Sequence, residues 1–298
     1  MIRALAFLLL LGHAAAAAEL KIATWNLEWL TTNPAGLPAD ARPKPQAGIA
    51  ALRQYALKLG ADVIAFEEVD GPAIAAQVFP PDRYRILITA DQVTQRVGFA
   101  VRRDLPVHQN PDLAALDVQP GARYRLRSGV DITLDLPAGP FRLLGIHLKT
   151  GCQRNSLRSG RPACRILAEQ VPPLQRWIAE RRREGIPFAV LGDFNRVLDP
   201  QHGHPDALLA ALDAAAPLIP ATAGHASPCW GGETFIDHIL AGGPARAWME
   251  PVSLRVLVYR EHDEASRTNL SDHCPVSIRF SLPAGDDRAA ITPAMPQR

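Results

Sequence analysis

In "PFAVLGDFN", residues 187–195, four consecutive apolar residues, Phe188 to Leu191, give way within two positions to Asp193 and then Asn195. A short apolar run of this kind is the pattern of a buried strand. This one stops at an acid. Outward from it the pattern repeats. "LKIATWNLEWL" (20–30) opens as a strand and delivers Asn26 and Glu28. "DVIAFEEV" (62–69) ends at Glu67 and Glu68, and a strand expected over 141–148 brings His147 just ahead of Lys149. Asp237 and His238 sit in a strand expected at 234–241. "LSDHCPV" (270–276) places Asp272 and His273 before a strand at 274–281, where Cys274, Val276, Ile278 and Phe280 alternate with polar or turn residues.

Further strands are expected at 84–89, 96–102, 129–135 and 252–259. A helix at 47–59 carries Ile49, Leu52, Tyr55, Ala56 and Leu59 on one face, and Gly60 supplies its C-cap. A second, at 165–182, is expected to kink or restart at Pro172-Pro173; a short third spans 206–214. Strands outnumber helices, and the helices fall between groups of strands. That favours mixed sheets covered by helices over a doubly wound parallel sheet, an α/β protein with one domain over residues 19–283.

The ends and the composition bound the setting. Arg3, the apolar run Ala4–Leu11 and the alanine tract Ala14–Ala18 read as a signal peptide over residues 1–18, too short for a membrane span. Residues 284–298 are polar and proline-rich, a flexible tail. The expected location is periplasmic or secreted, without stable membrane association, and as a monomer. A net charge of +2 is too small to argue for a nucleic-acid partner by itself; of 32 basic residues only four are lysine, a bias that a GC-rich genome also gives. Export makes the four cysteines worth pairing. Cys152 and Cys164 bracket a polar, Arg-rich segment, which a bridge would pin as a surface loop. Cys229 and Cys274 offer a second bridge, but Cys274 is better read as a buried strand thiol.

Each polar strand end has a plain structural explanation when taken alone. Asp193 with Asn195 suits a side-chain turn, and a lone histidine is more often a satisfied core or edge residue. Six such ends meeting at one rim are another matter, because clustered carboxylates repel and raise one another's pKa unless a cation sits among them. The donors are Glu, Asp and Asn with a few imidazoles. There is no Cys-x-x-Cys, so Mg²⁺, Mn²⁺ or Ca²⁺ fits better than structural zinc. His202 and His204 are read as part of a polar loop.

"TWNLEWL", "DVIAFEEV", "GIHLKTGC", "VLGDFNR", "FIDHIL" and "LSDHCPV" occur in the order and approximate spacing of the endonuclease/exonuclease/phosphatase superfamily, which the chain resembles from residue 20 to about 281 as an exported, bacterial-type member. The resemblance implies a DNase I-like four-layer α/β sandwich with two mixed central sheets flanked by helices. It also implies a metal-dependent phosphoric ester hydrolase using Mg²⁺, with Mn²⁺ or Ca²⁺ as alternatives. Carried over residue by residue, Glu68, Asp272 and Asn26 match metal contacts. His147 matches a contact to the scissile phosphate. Asp193 and Asn195 match the pair acting on the attacking water, Asp237 the partner of the catalytic imidazole, and His273 that imidazole. Either His273 or Asp193 is the base. Glu67 departs from the pattern, which usually has glutamine there. Lys149, Arg154 and Arg158 beside His147 suit a polyanionic substrate, and Arg123, Arg125 and Arg127 are read equally as an extension of that surface or as a solvated face. The substrate expected is nucleic acid, DNA ahead of RNA. The alternatives are a phospholipid head group or phosphorylated small molecule, and a non-catalytic binding module on the same fold.

Overall fold

The chain is described from a computed structural model that covers residues 18–284 except 36, 40, 123–124, 201–204 and 233. The expected signal peptide up to residue 17, Arg123, the His202/His204 pair and the tail from residue 285 lie outside the described residues.

Twelve strands are present among the described residues: β1 (Glu19–Leu30), β2 (Val63–Val69), β3 (Tyr84–Ile88), β4 (Arg96–Arg102), β5 (Val107–Gln109), β6 (Val130–Leu136), β7 (Gly139–His147), β8 (Phe188–Asp193), β9 (Leu218–Pro220), β10 (Asp237–Gly242), β11 (Met249–Val256) and β12 (Val276–Ser281). The α-helices are α1 (Gln46–Leu59), α2 (Pro72–Val78), α3 (Pro162–Glu184), α4 (Ala207–Ala215), α5 (Ala245–Trp248) and α6 (Glu264–Asn269). The strands form two six-stranded mixed sheets, ordered β11-β12-β1-β2-β4-β3 and β5-β6-β7-β8-β10-β9. Each has one parallel pair at its centre, β1 with β2 and β7 with β8, flanked by antiparallel neighbours.

Side chains alternate across these strands, so each central strand feeds two cores at once. Ile22, Val63, Phe99, Ile132, Leu143, Leu191, Ile239, Ile278 and Phe280 meet between the two sheets. Ala23, Trp25, Leu27, Ile64 and Phe66 face the other way, onto Ile49, Leu52, Ala56 and Leu59 of α1 and Ala75 and Val78 of α2. Leu144, Ile146, Phe188 and Val190 likewise pack on Leu167, Leu174, Trp177 and Ile178 of α3 and on α4. The result is the four-layer α/β sandwich. It also explains why the central strands read as nearly continuous apolar runs: both their faces are covered.

Helix α3 departs from expectation. It runs unbroken through Pro172 and Pro173, although an interior proline typically costs about 3 kcal/mol. Its fully buried stripe, from Leu167 to Ile178, holds the helix in register on the sheet. Gly60 does cap α1 in the left-handed conformation, its N–H donating to Ala56 O. The last antiparallel pairing, β11 with β12, lies earlier than the expected 252–259, because after Val256 the chain turns off to bury Tyr259.

Both disulfides form, Cys152–Cys164 and Cys229–Cys274. The reading of Cys274 as a buried strand thiol is therefore wrong. Cys274 is buried as expected, but it lies two residues ahead of β12's paired segment, close enough to Cys229 for a Cα separation of 5.7 Å. No helix among the described residues is long and apolar enough to cross a membrane.

Candidate active site

The ends of the two parallel pairs face each other across the sandwich, and the polar residues lie there because of how each strand finishes. In β8, Gly192 has φ 144°, and a Cβ at that position would lie 1.9 Å from Ile146 O. Only glycine lets β7 and β8 approach this closely. The close approach sets His147 beside Asp193 in parallel register, while Asp237 at the start of β10 sits opposite Asp193. In the other sheet Asn26 pairs with Glu67, and both β1 and β2 bulge immediately afterwards.

Among the described residues, the non-glycine residues with positive φ are Glu28, Trp29, Glu68, Asn195 and Trp230. Every one belongs to these strand ends or to the loop against them. Such conformations cost roughly 1–3 kcal/mol each and persist where surrounding contacts over-determine them. The contacts are present. Asn26 Oδ1 accepts from Glu28 N (2.8 Å), Glu68 Oε2 accepts from Trp29 N (3.1 Å), and Asp193 Oδ1 accepts from Asn195 N (2.7 Å).

Asn26 Nδ2 donates to both Glu68 Oε1 and Asp193 Oδ2, at 3.1 Å each, and so ties the two sheets together. Asn195 Nδ2 gives Asp193 Oδ2 a further bond at 3.1 Å. His147 Nε2 stands 3.6 Å from both Glu68 Oε1 and Asp193 Oδ2. Burial, followed by Arg127, His273 and Lys149, holds its pKa well below the usual histidine value. His147 is neutral. His273 is the opposite case. Burial opposes its charge, but Asp237, bonded to Nδ1 at 2.8 Å, together with Asp193 and Asp272, outweighs burial and raises its pKa well above the ordinary value. Its Nε2 lies 3.9 Å from Asp193 Oδ2 and 3.7 Å from Asp272 Oδ1. Asp193 is pushed up to about 7, chiefly by burial and also by Asp237 and Glu68, against the pull of His273.

The turn that carries His273 is anchored to the first strand. Ser271 Oγ donates to Asn26 O (2.8 Å) and accepts from His273 N (3.0 Å). Tyr259 OH donates to His273 O (2.8 Å) and accepts from Trp25 Nε1 (2.9 Å). Glu28 Oε2 accepts from Asp272 N and from the buried Lys44 Nζ, both at 3.0 Å. Sequence reasoning missed Lys44, Ser271 and Tyr259, since nothing in their local patterns separates them from ordinary loop and strand residues.

The donors suit a hard divalent cation. Glu68, Asp193 and Asp272 offer carboxylate oxygens, and burial, with the crowding of neighbouring acids adding to it, raises Asp193 and, well above its ordinary value, Glu67. Such crowding is what a bound cation relieves. Among the described residues, ligand atoms of Asp193, Asp237 and His273 all lie within 4.8 Å of one another. That trio is better read as a proton-handling arrangement, because Nδ1 of His273 already donates to Asp237. Asn26 stands between these acids, its Nδ2 bridging Glu68 and Asp193 and its Oδ1 accepting from Glu28 N.

The remaining expected residues divide. Lys149 is half-buried, with Nζ donating to Thr150 O (3.0 Å). Arg154 and Arg158 are exposed on the disulfide-closed loop, while Gln153, just ahead of Arg154, lines the cleft of about 160 Å³ beside Asp237, Asp272 and His273. Of the arginine triplet, the two described members are tied to the protein's own groups. Arg125 pairs with Asp117 at 2.8 Å, and Arg127 is buried behind His147, donating to the carbonyls of His147 and Leu148 at 2.9 Å. Arg127 serves instead as a fixed positive charge beneath the acids.

Glu67 is fully buried. Its Oε1 accepts from Thr24 Oγ1 (3.0 Å), and Oε2 has no partner. Burial, then Asp237 and Asp193, raises its pKa well above 4.5. A raised folded-state pKa means that stability is fully present below the unfolded value and is lost as pH climbs through the folded one. Glu67→Gln, which keeps the shape without the charge, should therefore raise the melting temperature in EDTA by a few degrees at pH 8 and hardly at all at pH 4. Equal effects at both values would show that Glu67 carries no such penalty.

A family model described as "Endonuclease/Exonuclease/phosphatase family" matches residues 23–273. No individual curated protein matches the sequence. Among solved structures, truncated TDP2 of Caenorhabditis elegans is similar at a TM-score of 0.58 and 15% identity, covering 88% of this chain and 98% of that one. The 3' phosphatase NExo from Neisseria, bound to a product DNA hairpin, has a TM-score of 0.56 at 17% identity, covering 88% and 99%. TDP2 of D. rerio, complexed with a single-strand DNA product, has the same score and identity, covering 88% and 99%. At such identities these likenesses concern the fold.

Proposed function

The chain belongs to the endonuclease/exonuclease/phosphatase family of metal-dependent phosphoric ester hydrolases, and on that premise we propose that it cleaves phosphodiesters of nucleic acid outside the cytoplasm, DNA ahead of RNA. The observation that carries this reading is the meeting of Asn26, Glu68, His147, Asp193, Asn195, Asp237, Asp272 and His273 at one rim, with Asp193 pushed up to about 7 and His273 held well above the ordinary histidine value. A base works best with a pKa near the operating pH, and a proton donor must still hold its proton there.

In this reading Glu68 and Asp272, with Asn26 beside them, would hold Mg²⁺, with Mn²⁺ or Ca²⁺ as substitutes. When bound, the cation supplies Lewis-acid polarisation of a phosphoryl oxygen and charge for the departing oxygen. Asp193, with a pKa near 7 and its carboxylate oriented by Asn26 and Asn195, takes the proton of the attacking water. His273, kept protonated by Asp237, donates to the phosphate. That assigns the base to Asp193 and leaves His273 as cation and proton donor. His147, neutral and at 3.6 Å from two acids, offers a hydrogen bond to phosphate without neutralising them.

The DNA product bound to the Neisseria 3' phosphatase supports nucleic acid as the substrate class. Export is supported by the N-terminal residue pattern and by two disulfides, which persist in oxidising compartments. The test is a panel of plasmid DNA, RNA, sphingomyelin and inositol phosphates in Mg²⁺ buffer. Cleavage of DNA ahead of the others is expected. Intact nucleic acid with turnover of a lipid or sugar phosphate would move the protein to the alternative substrates.

A further inference from the structure

The cleft beside His273 has a wall that the chemistry above does not use. Arg267, in α6, lines it with Gln153, Ser227 and Thr234, in company with Asp237, Asp272 and His273. Among the described residues, Arg267 is the only lysine or arginine of that lining. Its guanidinium lies 5.9 Å above the centroid of the Trp230 ring, and its side chain makes no hydrogen bond or ion pair with any described residue. A guanidinium seated on an aromatic face keeps its N–H fork available.

The platform under it is fixed to the catalytic turn. Trp230 Nε1 donates to Ser271 O (2.9 Å), Cys229 is bridged to Cys274, and the ring leans on Tyr259 at 5.3 Å. Arg267 is thus held at a set place relative to His273. The acids of the cleft repel an anionic chain, so a cation here offsets that repulsion where the chain leaves the reacting centre. Its five donors match a phosphate's oxygens in pairs.

We propose that Arg267 binds a second phosphate of the substrate, one flanking the scissile group, so that the site selects a phosphate-flanked strand over a lone phosphate ester. This rests on the reading of the rim as a phosphodiesterase site.

The test compares Arg267→Ala and Arg267→Lys with the wild type on two substrates, a single-stranded deoxyoligonucleotide and bis-p-nitrophenyl phosphate, which has no flanking phosphate. For the oligonucleotide, Arg267→Ala should raise KM about tenfold while kcat moves by less than about twofold. The loss of kcat/KM on bis-p-nitrophenyl phosphate should be several times smaller. The slope of log KM against log salt should flatten by about 0.7, one phosphate contact on a single strand. Arg267→Lys should recover part of the KM, since it keeps the charge without the fork. Equal losses on both substrates, or an unchanged salt slope, would overturn the proposal. Wild-type turnover of bis-p-nitrophenyl phosphate alone would leave the phosphodiesterase reading standing and overturn this one; turnover of neither would sink the reading beneath it.

Discussion

His273→Ala is expected to lower kcat on DNA at least about a hundredfold while leaving the melting temperature nearly unchanged. The loss is large because His273 has the geometry of a poised donor. Its Nδ1 is fixed on Asp237 at 2.8 Å, and its Nε2 points into the acids of the rim. The fold should tolerate the change because the turn around it is held by backbone and neighbouring groups: Ser271 Oγ receives the His273 N–H, and Tyr259 holds the carbonyl. Alanine keeps both. Near-normal turnover in a folded variant would remove His273 from the reaction.

Asp193→Asn should cost about 10²–10⁴ in kcat/KM, the typical worth of a positioned base. The pH profile separates this from simple disorder of the site. A base with a pKa near 7 must lose its proton to work, so wild-type activity should rise with pH along a limb at or below about 7. A bound cation favours the carboxylate and moves that limb lower. His273 must keep its proton, so activity should fall again on the alkaline side, above the ordinary histidine range. In Asp193→Asn the acidic limb should flatten. An unaltered limb in that variant would transfer the base to another group.

Much of this site was legible in the chain because its residues lie where regular structure stops. A run such as "PFAVLGDFN" announces a buried strand, and a buried strand that ends at an acid must either pair that acid or use it. The layer arrangement was legible for the same reason: strands covered on both faces lose their polar alternation. What stayed hidden depends on three-dimensional approach. The glycine of "GDFN" gives no sign in one dimension that Ile146 O lies against it. Glu67 and Glu68 are adjacent and chemically alike. Only the bulge in β2 shows that one is sealed in the core while the other faces Asn26 and His147. Arg127 looked like one of three alternating surface charges and is a buried support. Cys274 read as an ordinary strand residue, because its partner lies 45 positions earlier on a loop whose path no local pattern records.

The most direct test of the account is cleavage of supercoiled plasmid DNA by the purified protein in Mg²⁺ buffer, repeated with excess EDTA and with Glu68→Ala. The account predicts nicking and linearisation by the wild type, restored after EDTA treatment by added Mg²⁺ or Mn²⁺, and at least about a hundredfold less product from the folded Glu68→Ala protein. Cleavage that persists in EDTA, or that survives the loss of Glu68, would contradict it.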